Sequence, residues 1–151
     1  MAIRNIVQIG DEVLRKKCFE VTDFGPKTSQ LLDDMRDTLI KAEGAGLAAP
    51  QIGVLRRVFI VSCEGKYFEC INPKIIKQSG SQTSDEGCLS VRGKYGAVTR
   101  PMNVTLQAFD RNGKQFTVNA SGFLAKAICH ENDHLDGVLY IDKAEYVEDD
   151  R

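Results

Sequence analysis

The spacing of apolar positions along the chain changes several times, and each change predicts an element. Leu31, Leu32, Met35, Leu39 and Ile40 recur at intervals that place them on one face of an α-helix. Gly25-Pro26 opens this helix, with Pro26 in the first turn, where its missing N–H costs nothing; Gly44-Ala45-Gly46 stops it near Glu43. Upstream, Asp11 is placed to cap a short helix reaching Lys17, with Val13 and Leu14 on its apolar side. Arg57 to Ser62, with the apolar run Val58-Phe59-Ile60-Val61, and Lys66 to Ile71 read as two strands turned at Glu64-Gly65. Ile75-Ile76, after Pro73, reads as a further strand or edge, and Asp85 to Ser90 as a turn. From Val98 the chain is extended again. Val104, Leu106 and Ala108 alternate with polar residues, and Arg111-Asn112-Gly113 turns the chain into a strand at Phe116 to Val118. Ser121 is expected to cap a second helix whose packed face holds Leu124, Ile128 and Leu135. A brief apolar run, Val138 to Ile141, precedes an acidic tail.

Strands first and a helix late argue for an α+β fold rather than alternating βαβ units, with antiparallel β-sheets wrapped around a central C-terminal helix. The length, 151 residues, fits one domain spanning 1–151, large enough to bury roughly 70% of its unfolded surface. A net charge of −1 argues against a general polyanion binder, so no nucleic-acid site is expected. No segment approaches the ~18 consecutive apolar residues of a membrane span, and the N-terminus carries no signal-peptide pattern. Five cysteines, Cys18, Cys63, Cys70, Cys88 and Cys129, lack the spacing of a disulfide framework or zinc ribbon. They imply a reducing cytosol, and Cys18, Cys63 and Cys70 read as small buried hydrophobes.

The chemistry concentrates in His130-Glu131-Asn132-Asp133-His134-Leu135. On a helix, His130 and His134 lie just over one turn apart and project from one face, so their imidazoles can grip one ion. Glu131 stands beside that ion, where a carboxylate can take a proton from bound water. Two histidines leave a catalytic site one ligand short. Cys88, Cys129 and a downstream carboxylate are the alternatives. Cys129 is one helical step from His130, about 100° around the axis, and cannot easily join the same face. Cys88 lies in a loop and is free to approach; a thiolate there favours iron(II) or zinc over magnesium. Between Gly44 and Gly53, small residues surround one polar side chain, Gln51, as a substrate-binding wall with a single amide donor would. By helix geometry, Lys126 and Ala127 share the face of the histidines and border a pocket for a long apolar side chain.

Three segments together carry a resemblance. Gly44-Ala45-Gly46-Leu47-Ala48-Ala49-Pro50-Gln51, Glu86-Gly87-Cys88-Leu89-Ser90 and His130 to Leu135 resemble the three motifs of bacterial peptide deformylases, in their order and at their approximate spacing. Asp11 to Lys17, Ile71-Asn72-Pro73 and Asp110 to Lys114 extend the likeness over nearly the whole chain. The resemblance implies a cytoplasmic bacterial hydrolase that releases formate from the formyl-methionine of nascent peptides. It implies one divalent metal ion held by Cys88, His130 and His134: iron(II) in the native form, zinc or nickel in purified protein. It assigns Glu131 as general base for the metal's water and as proton donor to the leaving amine. Gln51 and the Leu89 N–H would donate to the oxyanion. Gly44, Ala45, Gly46, Leu47 and Leu89 would hold the substrate peptide, Gly46 and Leu89 through their backbone, as an added strand. Lys126 and Ala127 would receive the methionine side chain. Glu86 and Arg100 match a pair that supports the Cys88 loop. Two departures stand out: Cys129 replaces a usual Gln, and Tyr95 occupies a position that is often Arg. Few residues follow the motif helix, whereas many relatives carry a longer C-terminal helix that docks on the ribosome, so ribosome association is in question. Two other readings use the same residues. A metallopeptidase would normally take its third ligand downstream, and a catalytically retired metal binder would not need Glu131, Gln51 and Cys88 intact.

Overall fold

The helical stripe near the N-terminus buries as its spacing requires. In the computed structural model, which describes residues 2–150, helix α1 spans Pro26–Ala42, and Leu31, Leu32, Met35 and Leu39 are buried while Ile40 faces solvent. Each such burial stabilises the fold by roughly 1.5–3 kcal/mol. Glu43 ends the helix in the left-handed region at φ 55°, returning its N–H to the carbonyls of Leu39 and Ile40.

Strand β1 (Gly46–Ala48) follows, then a short 3₁₀ helix at Ala49–Ile52, and then strands β2 (Val58–Cys63) and β3 (Lys66–Ser79). The apolar run of β2 does not alternate because both its faces are covered. Val58 and Ile60 join α1 and Leu47 in one core, and Phe59 and Val61 join a second. Strands β4 (Gln82–Cys88), β5 (Val91–Arg100), β6 (Asn103–Phe109) and β7 (Gln115–Ser121) lead to helix α2 (Phe123–His134), and strand β8 (Val147–Asp149) closes the order. Pairing between these strands is antiparallel, in one sheet ordered β1-β2-β3-β6-β7 and another ordered β4-β5-β8. Helix α2 packs on β1, β2 and β7 of the first sheet and on β5 of the second. The histidine-bearing helix therefore lies between the sheets, as the α+β reading expects. Leu124, Ile128, Cys129 and Leu135 are buried against Phe59, Val61 and Leu106.

Several boundaries differ from the expectations. The Asp11-capped segment is a 3₁₀ helix ending at Arg15, with the Asp11 carboxylate accepting from the Val13 N–H. Ser121 does not cap α2. It ends β7, its hydroxyl bonds Asn103 Oδ1, and Gly122 precedes the helix without a side-chain cap. Pro73 does not separate two strands: β3 runs through it with a shift of register between Ile71 and Lys74. That shift accommodates the missing N–H. Asn72 sits there at φ 50° and ties its side chain to both backbone groups of Val21. The supposed turn from Asp85 is the end of β4, and only Leu89-Ser90 turns. The next strand begins at Val91, seven positions before Val98.

Candidate metal centre

Helix α2 supplies His130 and His134, and Cys88 is the last residue of β4, a strand end rather than the loop expected from the sequence. Their ligand atoms all lie within 4.8 Å of one another. Cys88 Sγ is 3.5 Å from His134 Nε2. Metal–sulfur and metal–nitrogen bonds of about 2.3 and 2.0 Å meeting at a tetrahedral angle span about 3.5 Å, so this separation fits a single ion. Cys129 is absent from the cluster and buried in the core instead, where burial pushes its thiol up to about 11.

The surroundings orient this donor set. His130 Nδ1 lies 2.9 Å from Glu86 Oε1, leaving Nε2 for the ion. Glu86 in turn receives two bonds from the Arg100 guanidinium, both 2.9 Å, and Arg100 also reaches Asp133 at 2.6 Å. Neither Glu86 nor Arg100 is a solvated surface charge: both side chains are 2% exposed. Burial opposes the charge on Glu86, but bonding to His130 and Arg100 outweighs it and holds the carboxyl at about 2. His134 is held well below its ordinary value by burial, reinforced by the positive charges of His130 and Arg100, and neutral imidazole is the form that ligates. Burial also disfavours a charged His130. Cys88, Glu131 and Glu86 nevertheless raise it to about 10.

Glu131 is buried between α2 and β1. Its Oε1 has no hydrogen-bond partner among the described residues, and a Cβ on Gly46 would come within 2.6 Å of Oε2. Burial is the main cause that lifts this carboxyl to about 7. A carboxyl poised near neutrality suits proton transfer in both directions. Gln51 is buried at the inner wall. Its Oε1 accepts from Ala48 N–H at 2.9 Å, and its Nε2 lies 3.1 Å from Ser90 Oγ and 3.6 Å from Cys88 Sγ.

These groups open onto a cleft of about 340 Å³ lined by Gly44, Ala45, Gly46, Gln51, Cys88, Leu89, Lys126, Ala127, His130 and Glu131. Strand β1 is an edge of its sheet. Ser62 N–H bonds the carbonyl of Ala45, and by alternation the backbone groups of Gly46 point the other way, into the cleft. The structure does not bring Leu47 there: it is fully buried in the core that packs on α1. Lys126 lies at the rim, but its ammonium is not free in water. It donates to Ser84 Oγ at 2.9 Å and to the Asp85 carbonyl at 2.8 Å.

Sequence reasoning missed other lining residues. Phe123 precedes Lys126 and Ala127 by three and four residues, so the same helical geometry could have found it. Gly93, Lys94 and Asp150 line the outer wall because β8 pairs with β5 and Asp150 N–H reaches the Gly93 carbonyl. No local pattern announces that pairing. Ser90 is likewise brought to Gln51 only by the fold.

Residues 3–150 match the family model described as Polypeptide deformylase. The chain is 52% identical to the peptide deformylase of Lachnoclostridium phytofermentans, covering 95% of this chain and 90% of that protein. Against the Caldicellulosiruptor bescii peptide deformylase, identity is 49%, with 95% and 86% covered. Among solved structures, the peptide deformylase of Legionella pneumophila superimposes with a TM-score of 0.93 at 41% identity, covering 95% of this chain and 87% of that one. The Synechococcus elongatus peptide deformylase in complex with actinonin gives 0.92 at 37% identity, covering 95% and 79%.

Proposed function

The chain belongs to the polypeptide deformylase family, and from that premise we propose that residues 1–151 form one catalytic domain hydrolysing the formyl group from the formyl-methionine of new polypeptides. Cys88, His130 and His134 would hold one divalent ion, iron(II) in the native protein, with zinc or nickel as replacements. The cluster of three ligand atoms within 4.8 Å beside the buried Glu131 carries the reading. A bound ion supplies Lewis acidity to a water molecule and to the formyl carbonyl.

The remaining steps belong to side chains and backbone of this chain. Gly46 aligns the peptide along the free edge of β1, with Leu89 on the facing turn. Ala127 and the methylenes of Lys126 receive the methionine side chain. Glu131 accepts the proton of the attacking water and returns it to the leaving amine, steps for which a carboxyl near 7 is suited. Gln51 Nε2 and the Leu89 N–H donate to the oxygen that gains charge. Glu86 keeps its proton partner on His130 Nδ1, which fixes the ring.

Formyl-methionyl nascent peptides are the partners in this reading, and the bacterial cytoplasm is the site of action; five free cysteines support a reducing compartment. Among the described residues no helix is long and apolar enough to cross a membrane. The test is formate release from formyl-Met-Ala-Ser by protein prepared without oxygen, with metal content measured on the same sample. Stoichiometric iron and formate release are expected. Full metal loading with no formate release would sink the reading.

A further inference from the structure

Gln51 presents two N–H groups, and the structure accounts for both. The amide cannot be flipped, because Oε1 accepts from the Ala48 N–H at 2.9 Å. One N–H meets Ser90 Oγ at 3.1 Å, and the other is aimed towards Cys88 Sγ at 3.6 Å. Gln51 is 1% exposed and Ser90 is fully buried, so the contact between them is shielded from solvent, while the contact to Cys88 borders the cleft. The backbones behind the two residues are stitched to one segment: Val7 N–H donates to the Gln51 carbonyl and Ile9 N–H to the Ser90 carbonyl, each at 2.8 Å. The last torsion of a glutamine is intrinsically broad. The Ala48 N–H holds the amide at its oxygen and the Ser90 hydroxyl holds it at its nitrogen, so the two bonds together set the amide plane.

We propose that Ser90 is a positioning residue for the reaction: its hydroxyl holds the Gln51 amide so that the second N–H faces the Cys88 sulfur and the ion that sulfur would bind. This rests on the deformylase reading of the site. The N–H so aimed serves two ends. It donates to the sulfur at rest, which withdraws electron density from a thiolate ligand, and it lies ready for the oxygen that becomes negative during hydrolysis. A preorganised donor is worth far more in such a dry site than one that must first rotate into place. Ser90 acts only through Gln51, and that dependence makes the idea testable.

The experiment uses the cobalt(II)-loaded full-length protein and compares wild type, Ser90→Ala, Ser90→Thr, Gln51→Ala and the double variant Ser90→Ala/Gln51→Ala. In Ser90→Ala, kcat on formyl-Met-Ala-Ser should fall about tenfold with KM within about twofold. Its sulfur-to-cobalt charge-transfer band should move to longer wavelength, because a thiolate without its N–H partner gives up charge more easily. Ser90→Thr, which keeps the hydroxyl, should restore both properties towards wild type. In the Gln51→Ala background, Ser90→Ala should change neither kcat nor the band by a further measurable amount. A variant that merely loosens the fold would lose activity again in that background, and that result would overturn the proposal. An unmoved band in Ser90→Ala would overturn it as well, as would a loss confined to KM. Absence of turnover in the wild type would count against the deformylase reading alone, because the band comparison needs no substrate.

Discussion

In the proposed reaction, Glu131 and Lys126 divide chemistry and recognition between two positions of one helix. The Glu131 carboxylate is enclosed by α2 and β1, with one oxygen unpartnered among the described residues, and it is not one of the three clustered ligand groups. Glu131→Ala should therefore keep its metal while kcat falls by roughly 10²–10⁴, the usual cost of losing a general base. Metal analysis alongside formate release checks this; wild-type turnover by a fully loaded variant would exclude Glu131 as the base. Lys126 has its ammonium tied to Ser84 and Asp85, so its methylenes are held along the cleft wall. Lys126→Ala should raise KM for formyl-Met peptides more than it lowers kcat. An unchanged KM with collapsed turnover would place the lysine in the chemistry and remove it from the side-chain pocket.

At the scale of elements, legibility followed burial. The α1 stripe and the alternation of β6 could be read from the chain because each buries apolar residues at a regular period, and the β2 run because burial on both faces leaves it continuously apolar. Strand β4 could not. Its residues Gln82-Thr83-Ser84-Asp85-Glu86-Gly87-Cys88 hold no large apolar side chain, and of its two charged residues Glu86 is buried through Arg100 and His130 rather than through hydrophobicity. Strand β8 is exposed at all three positions and exists only as a partner for β5. The metal motif was legible for a different reason: helical spacing alone sets two imidazoles on one face, whereas the approach of Cys88 and Ser90 depends on where β4 and β5 turn. The contact between the tail and β5 offers a direct test. A Cβ on Gly96 would overlap the Tyr146 carbonyl oxygen, which is backbone and cannot swing aside. Gly96→Ala should displace β8 and cost about 1–3 kcal/mol, as overpacking typically does. Chemical denaturation would measure it, and a variant as stable as wild type would mean that the tail does not clasp β5 in solution.

Over the whole molecule, one buried charge network joins β4 and β5 of the three-stranded sheet to the motif helix. Arg100 on β5 binds Glu86 on β4 and Asp133 on α2, and Glu86 binds His130 on α2. Replacing one member of such a network strands the others without a partner in a low dielectric, which is costly even where the intact network contributes little net stability. The network also sets how stability varies with acidity. Glu86 sits at about 2 in the folded protein, against an ordinary value of 4.5. A carboxyl depressed by folding contributes stability that is fully present above the unfolded value and is lost as pH falls through the folded one. The window is therefore pH 4.5 down to about 2, and the contribution, at about 1.4 kcal/mol per pH unit of depression, is on the order of 3 kcal/mol. His130, raised to about 10, is protonated in both folded and unfolded chains throughout that window, so it adds only a constant there. Glu131 has the opposite sign. Its raised value costs stability as pH climbs from 4.5 to about 7 and leaves the acid window unaffected below that. The measurement is urea unfolding of metal-free wild type and Glu86→Gln between pH 6 and pH 2.5, free of metal so that ligand protonation is not superimposed. The advantage of wild type over Glu86→Gln should be constant from pH 6 to about pH 5 and then shrink steadily with added acid. A gap that stays the same across the whole range would mean that Glu86 is not held as a depressed carboxylate, and the network would have to be described with a proton on it.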